Sequence, residues 1–226
     1  MDTPLIIEKY NRLIDQSYLG LWKRKFKSEL TIEDFDNFPI SLFDIGKIYV
    51  SITNSIEFDN LLKRKISDRL IDIKTLFFYL KNSTDRFYFE TFEIIENGEL
   101  EKANENTMSW LQLTHYKVYL ISSIYEKLID LFEIIYLQKS TDHKNNKIGK
   151  KLEKLWELTN FNLVTKIENQ VLTEFRNSKR KGEMHGTSSI FRQLFKEEWN
   201  HLSNEENIIN EIIKKFYSEY NKDCAK

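Results

Sequence analysis

The sequence predicts an all-α fold, a helical bundle, and three observations carry that expectation. The chain has 226 residues but only 6 glycines and 2 prolines, where average usage would supply about 16 and 11. All-β and turn-dense α/β folds need more turn residues than that. Apolar residues recur at three- and four-residue spacing through most of the chain, as one buried face of a helix requires. Finally, 31% of residues are charged and 41% hydrophobic, enough of each to give helices one wet and one buried face.

The elements follow in order. Pro4 suits a first helical turn, and Ile6, Ile7, Tyr10, Leu13, Ile14 and Tyr18 continue at helical spacing. Residues 21–38 are mixed, and Pro39 punctuates them. Ser41 and Asp44 form a capping-box pattern, with Asp in the usual Glu role, that opens a helical region to about residue 70. Residues 72–81 continue in the same style. Phe87 to Ile95 is rich in strand formers and is followed by Asn97-Gly98, a hairpin signal. The polar stretch after it makes a poor return strand, so helix is preferred. From Thr107 the pattern sharpens: Ile121, Ile124, Tyr125, Leu128, Phe132 and Ile135 trace a stripe, with Glu126, Asp130 and Glu133 assigned to the opposite, solvated face. Residues 140–149 read as a polar loop. One helix then carries Leu152, Leu155, Trp156 and Leu158. Another follows Asn160 with Leu163, Ile167, Val171, Leu172 and Phe175. A last helix opens on a Ser203/Glu206 capping box and carries Ile208, Ile209, Ile212, Ile213, Phe216, Tyr217 and Tyr220. The expected organisation is a helical region over 1–105, as a separate lobe or part of the same bundle, and a helical domain over 106–226.

Charge and cysteine content narrow the function classes. Lys and Arg number 34 against 35 Asp and Glu, a net charge of −1, so nucleic-acid binding requires a local basic patch. The single cysteine, Cys224, excludes a disulfide framework and a multi-cysteine zinc site, and it fits a cytoplasmic setting. The most apolar stretch, Val118 to Leu137, contains Glu126, Lys127, Asp130 and Glu133, and mean hydropathy is −0.52; no membrane partner is expected. The phosphate-binding, dinucleotide and nucleophile-elbow motifs are absent. One Glu-x-x-His occurs at Glu198 and His201, but the other histidines have Gln112, Ser140 and Gly182 three residues before them. The paired metal-binding pattern is therefore incomplete, and no metal or cofactor is expected. The four tryptophans, Trp22, Trp110, Trp156 and Trp199, are assigned to core or interface, and His115 to a hydrogen-bonded structural role. The basic runs at Lys23–Lys25 and Lys63–Lys65, with Lys27 and Arg69, are assigned to solvated faces in preference to an RNA track.

One segment carries chemistry. Between Arg176 and Lys181, four of six residues are cationic: Arg176, Lys179, Arg180 and Lys181. They end an apolar helix, precede Gly182, and are followed by His185-Gly186. Cations at a helix C-terminus are favoured by the macrodipole, by about 0.3–1 kcal/mol each, which accounts for part of this cluster without any function. Arginine also matches phosphate bidentately and stays charged, whereas histidine exchanges a proton near neutral pH. Together they suffice for metal-free RNA cleavage, with the imidazole moving protons and the guanidinium stabilising the phosphate.

Phe175-Arg176-Asn177 followed by His185-Gly186, late in a helical chain, resembles the HEPN superfamily. Its members are helical bundles, commonly dimers, and many are metal-independent endoribonucleases of toxin or defence systems. The resemblance implies a HEPN-like C-terminal half and a catalytic set of Arg176, Asn177 and His185. Lys179, Arg180 and Lys181 would contact RNA. It further implies a homodimer sharing the site and an antitoxin or defence partner. The family places four to six residues between Arg and His; here eight separate Arg176 from His185, whereas Arg180 has the family spacing but is followed by Lys181. That departure supports the alternative of a catalytically degenerate bundle that binds RNA or protein.

Overall fold

The computed structural model describes residues 4, 6–9, 11–13, 44–97, 103–140, 148–177 and 201–220, with backbone alone over 81–97, 103–115 and 201–203. Of this part, 85% is helical and none of it is strand, which establishes an all-α protein. After helical backbone at residues 4, 6–9 and 11–13 come α1 (Ile45–Ser55), α2 (Asn60–Asn97), α3 (Ala103–Leu137), α4 (Ile148–Trp156), α5 (Lys166–Phe175) and α6 (His201–Tyr220).

The helix starts are set by local chemistry. Asp44 is the N-cap of α1: its carboxylate accepts from the Gly46 and Lys47 backbone N–H groups at 3.0 and 3.1 Å. The cap is thus Asp44 itself, whereas the sequence pattern had assigned that role to Ser41, which lies outside the described residues. A Cβ at position 46 would stand 3.2 Å from the capping oxygen, so glycine leaves that oxygen room. The helix ends at Ile56, whose extended backbone (φ −136°, ψ 134°) still donates to the Ile52 carbonyl. A second carboxylate, Asp59, accepts from Leu62 N–H at 2.7 Å and opens α2. The single helical region expected from residue 41 to 70 is therefore two helices, each started by an aspartate. The ambiguous stretch 87–95 is helical, part of the 38-residue α2.

The chain divides into two compact units, one comprising Met1–Phe78, Ile124–Thr165 and Asn210–Lys226, the other Tyr79–Ser123 and Lys166–Ile209. In the first, Ile45, Ile48, Tyr49 and Ile52 of α1 are buried, as are Ile66, Leu70, Ile73 and Phe77 of α2. Spacings of three, four and seven put each set on one helical face. Every residue of α3 from Leu128 to Ile135 is buried, so this part of the helix has no solvated face. Phe132 stacks edge-on against Phe161 and Phe216, with centroids 5.8 and 5.3 Å apart, and Phe216 meets Tyr220 at 5.3 Å. Each fully buried Ile, Leu or Phe contributes about 1.5–3 kcal/mol, so this aromatic and aliphatic core dominates the unit's stability.

Three sequence expectations change here. Ile148 and Gly149, expected in the polar loop, already belong to α4. Residues 161–165 are irregular, not helical; Phe161, Leu163 and Val164 are buried there, while α5 starts only at Lys166 and leaves Ile167 76% exposed in its first turn. In the second unit, α6 begins at His201, so Ser203 lies inside the helix and cannot cap it. Glu206 instead turns inward to Lys117 of α3 at 3.0 Å, both side chains almost fully buried.

Candidate functional site

The Arg/His segment starts where α5 ends. Leu172 and Phe175 bury the inner face of α5, and the backbone then opens into a π-helical turn at Arg176 and Asn177. Such turns widen the helix and re-aim the side chains they carry, and they recur at functional sites. Arg176 is half-buried, with its Nε atom buried, whereas Asn177 is exposed. On the preceding turns, Gln170 donates to Glu174 at 3.0 Å and Thr173 to Asn169 at 3.1 Å. The structure thus places Arg176 and Asn177 side by side at the C-terminal end of α5. Lys179, Arg180, Lys181 and His185 lie outside the described residues, as do Glu198 and the basic run Lys23–Lys27. Among the described residues, no group of three or more His, Cys, Asp or Glu is arranged to hold a metal ion.

The first unit contains a polar assembly that the sequence reading assigned to solvent. Lys127 Nζ lies 2.7 Å from Asp72 Oδ2. Asp72 Oδ2 is 3.4 Å from Arg69 Nη1, and Arg69 Nε is 3.5 Å from Asp130 Oδ2. Lys151 Nζ then bridges Asp130 Oδ1 at 2.9 Å and Glu133 Oε2 at 2.6 Å. The order is cation, anion, cation, anion, cation, anion, drawn from α2, α3 and α4. It runs from half-exposed Asp72 to Lys151 and Glu133, which keep only 6% and 4% of side-chain exposure. Asp130 and Glu133 therefore do not face water, contrary to the sequence expectation. Because α3 is buried all round at this point, its carboxylates require partners from neighbouring helices. Lys65 and Arg69, weighed as an extension of an RNA track, are engaged internally: Lys65 donates to Ser140 at 2.9 Å, and Arg69 belongs to the chain just traced.

Two further polar contacts tie the same unit together. Lys74, fully buried on α2, donates to Asn11 of the N-terminal stretch. The Tyr136 hydroxyl of α3 donates to Glu219 of α6. Burial, followed by the hydrogen bonds and charge of Glu219 and Tyr220, pushes the Tyr136 hydroxyl far above its ordinary ionisation range. Burial raises Tyr220 to about 12, with Tyr136's hydrogen bond pulling the other way and the Glu219 charge adding to the rise. Trp156, assigned to core or interface, is half-buried and donates from Nε1 to the Val164 carbonyl at 2.7 Å, closing the irregular stretch after α4.

Among the described residues, no helix is long and apolar enough to cross a membrane. No protein-family model, curated protein or solved structure matches the chain.

Proposed function

We propose that the chain is a HEPN-like, metal-independent endoribonuclease whose site is built on Arg176, Asn177 and His185. The observation that supports this reading is the pairing of Arg176 and Asn177 on a π-helical turn at the end of α5. In this reading Arg176 stabilises charge developing on the scissile phosphate, and Asn177 orients the phosphate or the imidazole. His185 takes the 2′-hydroxyl proton or returns one to the leaving oxygen. Lys179, Arg180 and Lys181 neutralise flanking phosphates, a local patch on a chain of net charge −1. Two copies in a homodimer place two Arg/His segments in one cleft, and an antitoxin or defence partner holds the activity in check. No cofactor enters the reaction, and the setting is the cytoplasm.

The test is RNA cleavage by the purified chain in EDTA. His185→Ala lowers the rate by about 10²–10⁴-fold, the usual worth of a positioned proton donor or acceptor, and Arg176→Ala by about 10²–10³-fold, that of one donor to developing charge, while helicity and melting stay unchanged. Undiminished cleavage by His185→Ala removes the assignment. The eight-residue separation of Arg176 from His185 favours a second reading, a degenerate bundle that binds RNA or a protein without cutting. Steeply salt-dependent RNA binding without cleavage selects it.

A further inference from the structure

We infer that Tyr79 and Tyr116 form an oxidative cross-linking site, where a one-electron oxidant joins the two rings into a biphenol that ties α2 to α3. Both residues belong to the second unit, Tyr79 on α2 and Tyr116 on α3. Their ring centroids lie 6.5 Å apart, with the planes tilted by 49°. Both rings reach the surface, at 41% and 44% exposure, whereas their chain neighbours Leu80 and Lys117 are buried. A dissolved oxidant can therefore reach both phenols, and each phenol has the other as its neighbour across the helix pair. The remaining tyrosines with described surroundings are placed differently. Tyr49, Tyr125 and Tyr220 are buried, and the Tyr136 hydroxyl donates to Glu219.

The chemistry needs a partner ring and an electron acceptor. Each phenol gives one electron to the oxidant and its hydroxyl proton to water, leaving two phenoxyl radicals. Their unpaired electrons, shared onto the Cε carbons beside the oxygens, pair to form one carbon–carbon bond. Each joined carbon then sheds its proton and each oxygen regains one, which restores both aromatic rings. The net change is two electrons and two protons lost, and hydrogen peroxide takes up both pairs as it becomes two waters. Rings joined by a single bond stay twisted, because their edges collide when coplanar, so the tilted approach of Tyr79 and Tyr116 suits the product. Rotation of exposed side chains between rotamers is fast and closes the remaining gap. Partial burial first, then the neighbouring Tyr79, holds the Tyr116 hydroxyl above its ordinary ionisation range, so it reacts as the neutral phenol at neutral pH. The new bond restrains the unfolded chain as any covalent cross-link does.

Oxidation of the dilute full chain by a haem peroxidase with hydrogen peroxide at neutral pH tests the site. Within single chains the product gains biphenol fluorescence and loses the mass of two hydrogens. Peptide mapping finds the Tyr79 peptide joined to the Tyr116 peptide, at least about tenfold more abundant than any other link within one chain, because the fold holds these rings together beforehand. Tyr79→Phe and Tyr116→Phe each abolish that linked peptide and most of the fluorescence, whereas Tyr136→Phe leaves both unchanged. Unfolding the chain in urea before oxidation lowers the yield of this link by at least about tenfold. Three results overturn the inference: a different tyrosine pair as the main link within one chain, fluorescence undiminished in Tyr79→Phe, or equal yield of the link from the unfolded chain. Should a phenylalanine variant fail to fold, the peptide map of the parent, native against unfolded, decides by the same criteria.

Discussion

Raising the pH above 10 should destabilise the first unit through two tyrosines, and the size of the loss can be worked from the contacts of α3 and α6. In an unfolded chain a tyrosine ionises near pH 10. In the fold, Tyr220 keeps its proton to about pH 12, and Tyr136, donating to Glu219, holds its proton longer still. The native state therefore binds more protons than the unfolded state above pH 10, and stability must fall as pH rises. Below pH 10 the contribution is fully present. From 10 to 12 each of the two hydroxyls removes up to about 1.4 kcal/mol per pH unit, so Tyr220 alone accounts for roughly 2.7 kcal/mol. Denaturant unfolding followed at pH steps across this interval, beside the phenolate absorbance, measures it. Tyr220→Phe should flatten the slope by close to one proton, and Tyr136→Phe/Tyr220→Phe by close to two. If the double variant loses stability as steeply as the parent, the argument from the Tyr136–Glu219–Tyr220 contact fails.

Other consequences can be checked alongside. Phe216→Ala removes a fully buried ring stacked on Phe132 and Tyr220, and should cost about 3–5 kcal/mol, a melting shift of roughly 6–20 °C for a chain of this size. Asp44→Ala deletes the acceptor for two N–H groups of α1 and should cost about 1 kcal/mol, with Asp44→Asn nearly neutral; circular dichroism during denaturant unfolding reads both. Trp156→Phe keeps most of the ring but loses the bond to Val164; it should cost about 1 kcal/mol by the same measurement and leave the stability of the second unit unmoved.

The all-α class was legible because so few glycines and prolines leave little scope for other folds, and because apolar spacing in α1 and α6 is a direct image of burial. Helix ends were less legible. Ser41-x-x-Asp44 and Ser203-x-x-Glu206 have the same capping signature, yet in the first the aspartate is itself the cap, and in the second the glutamate pairs with buried Lys117. A capping pattern cannot tell a backbone partner from a side chain forty or more residues away. Ile167 fits the apolar period of its neighbours yet is exposed among the described residues, since periodicity says nothing of what a face meets. For the Arg/His segment the sequence supplies residue types, and the structure adds the π-helical turn that carries Arg176 and Asn177. The distance between Arg176 and His185 depends on the path of residues 178–184, which no local pattern encodes.

The misassignment of Asp130 and Glu133 has a physical cause with wider use. Helical periodicity treats a charged residue as a marker of the wet face, a rule that holds only where a helix has one. From Leu128 to Ile135 α3 has none, and its apolar residues are too dense for a single stripe: Leu128, Ile129, Leu131, Phe132, Ile134 and Ile135 leave only Asp130 and Glu133 polar. In such a run a carboxylate must find a cation on another element or lose its charge. The matching signal lies in α4, where Lys151 falls among Ile148, Leu152 and Leu155, on the face that the apolar spacing marks as buried. Two acids three residues apart in an all-round apolar helix, and one lysine inside the apolar stripe of a short neighbouring helix, are complementary anomalies. Read together they predict the contact that either alone conceals, because a charge among apolar side chains needs a partner of opposite sign.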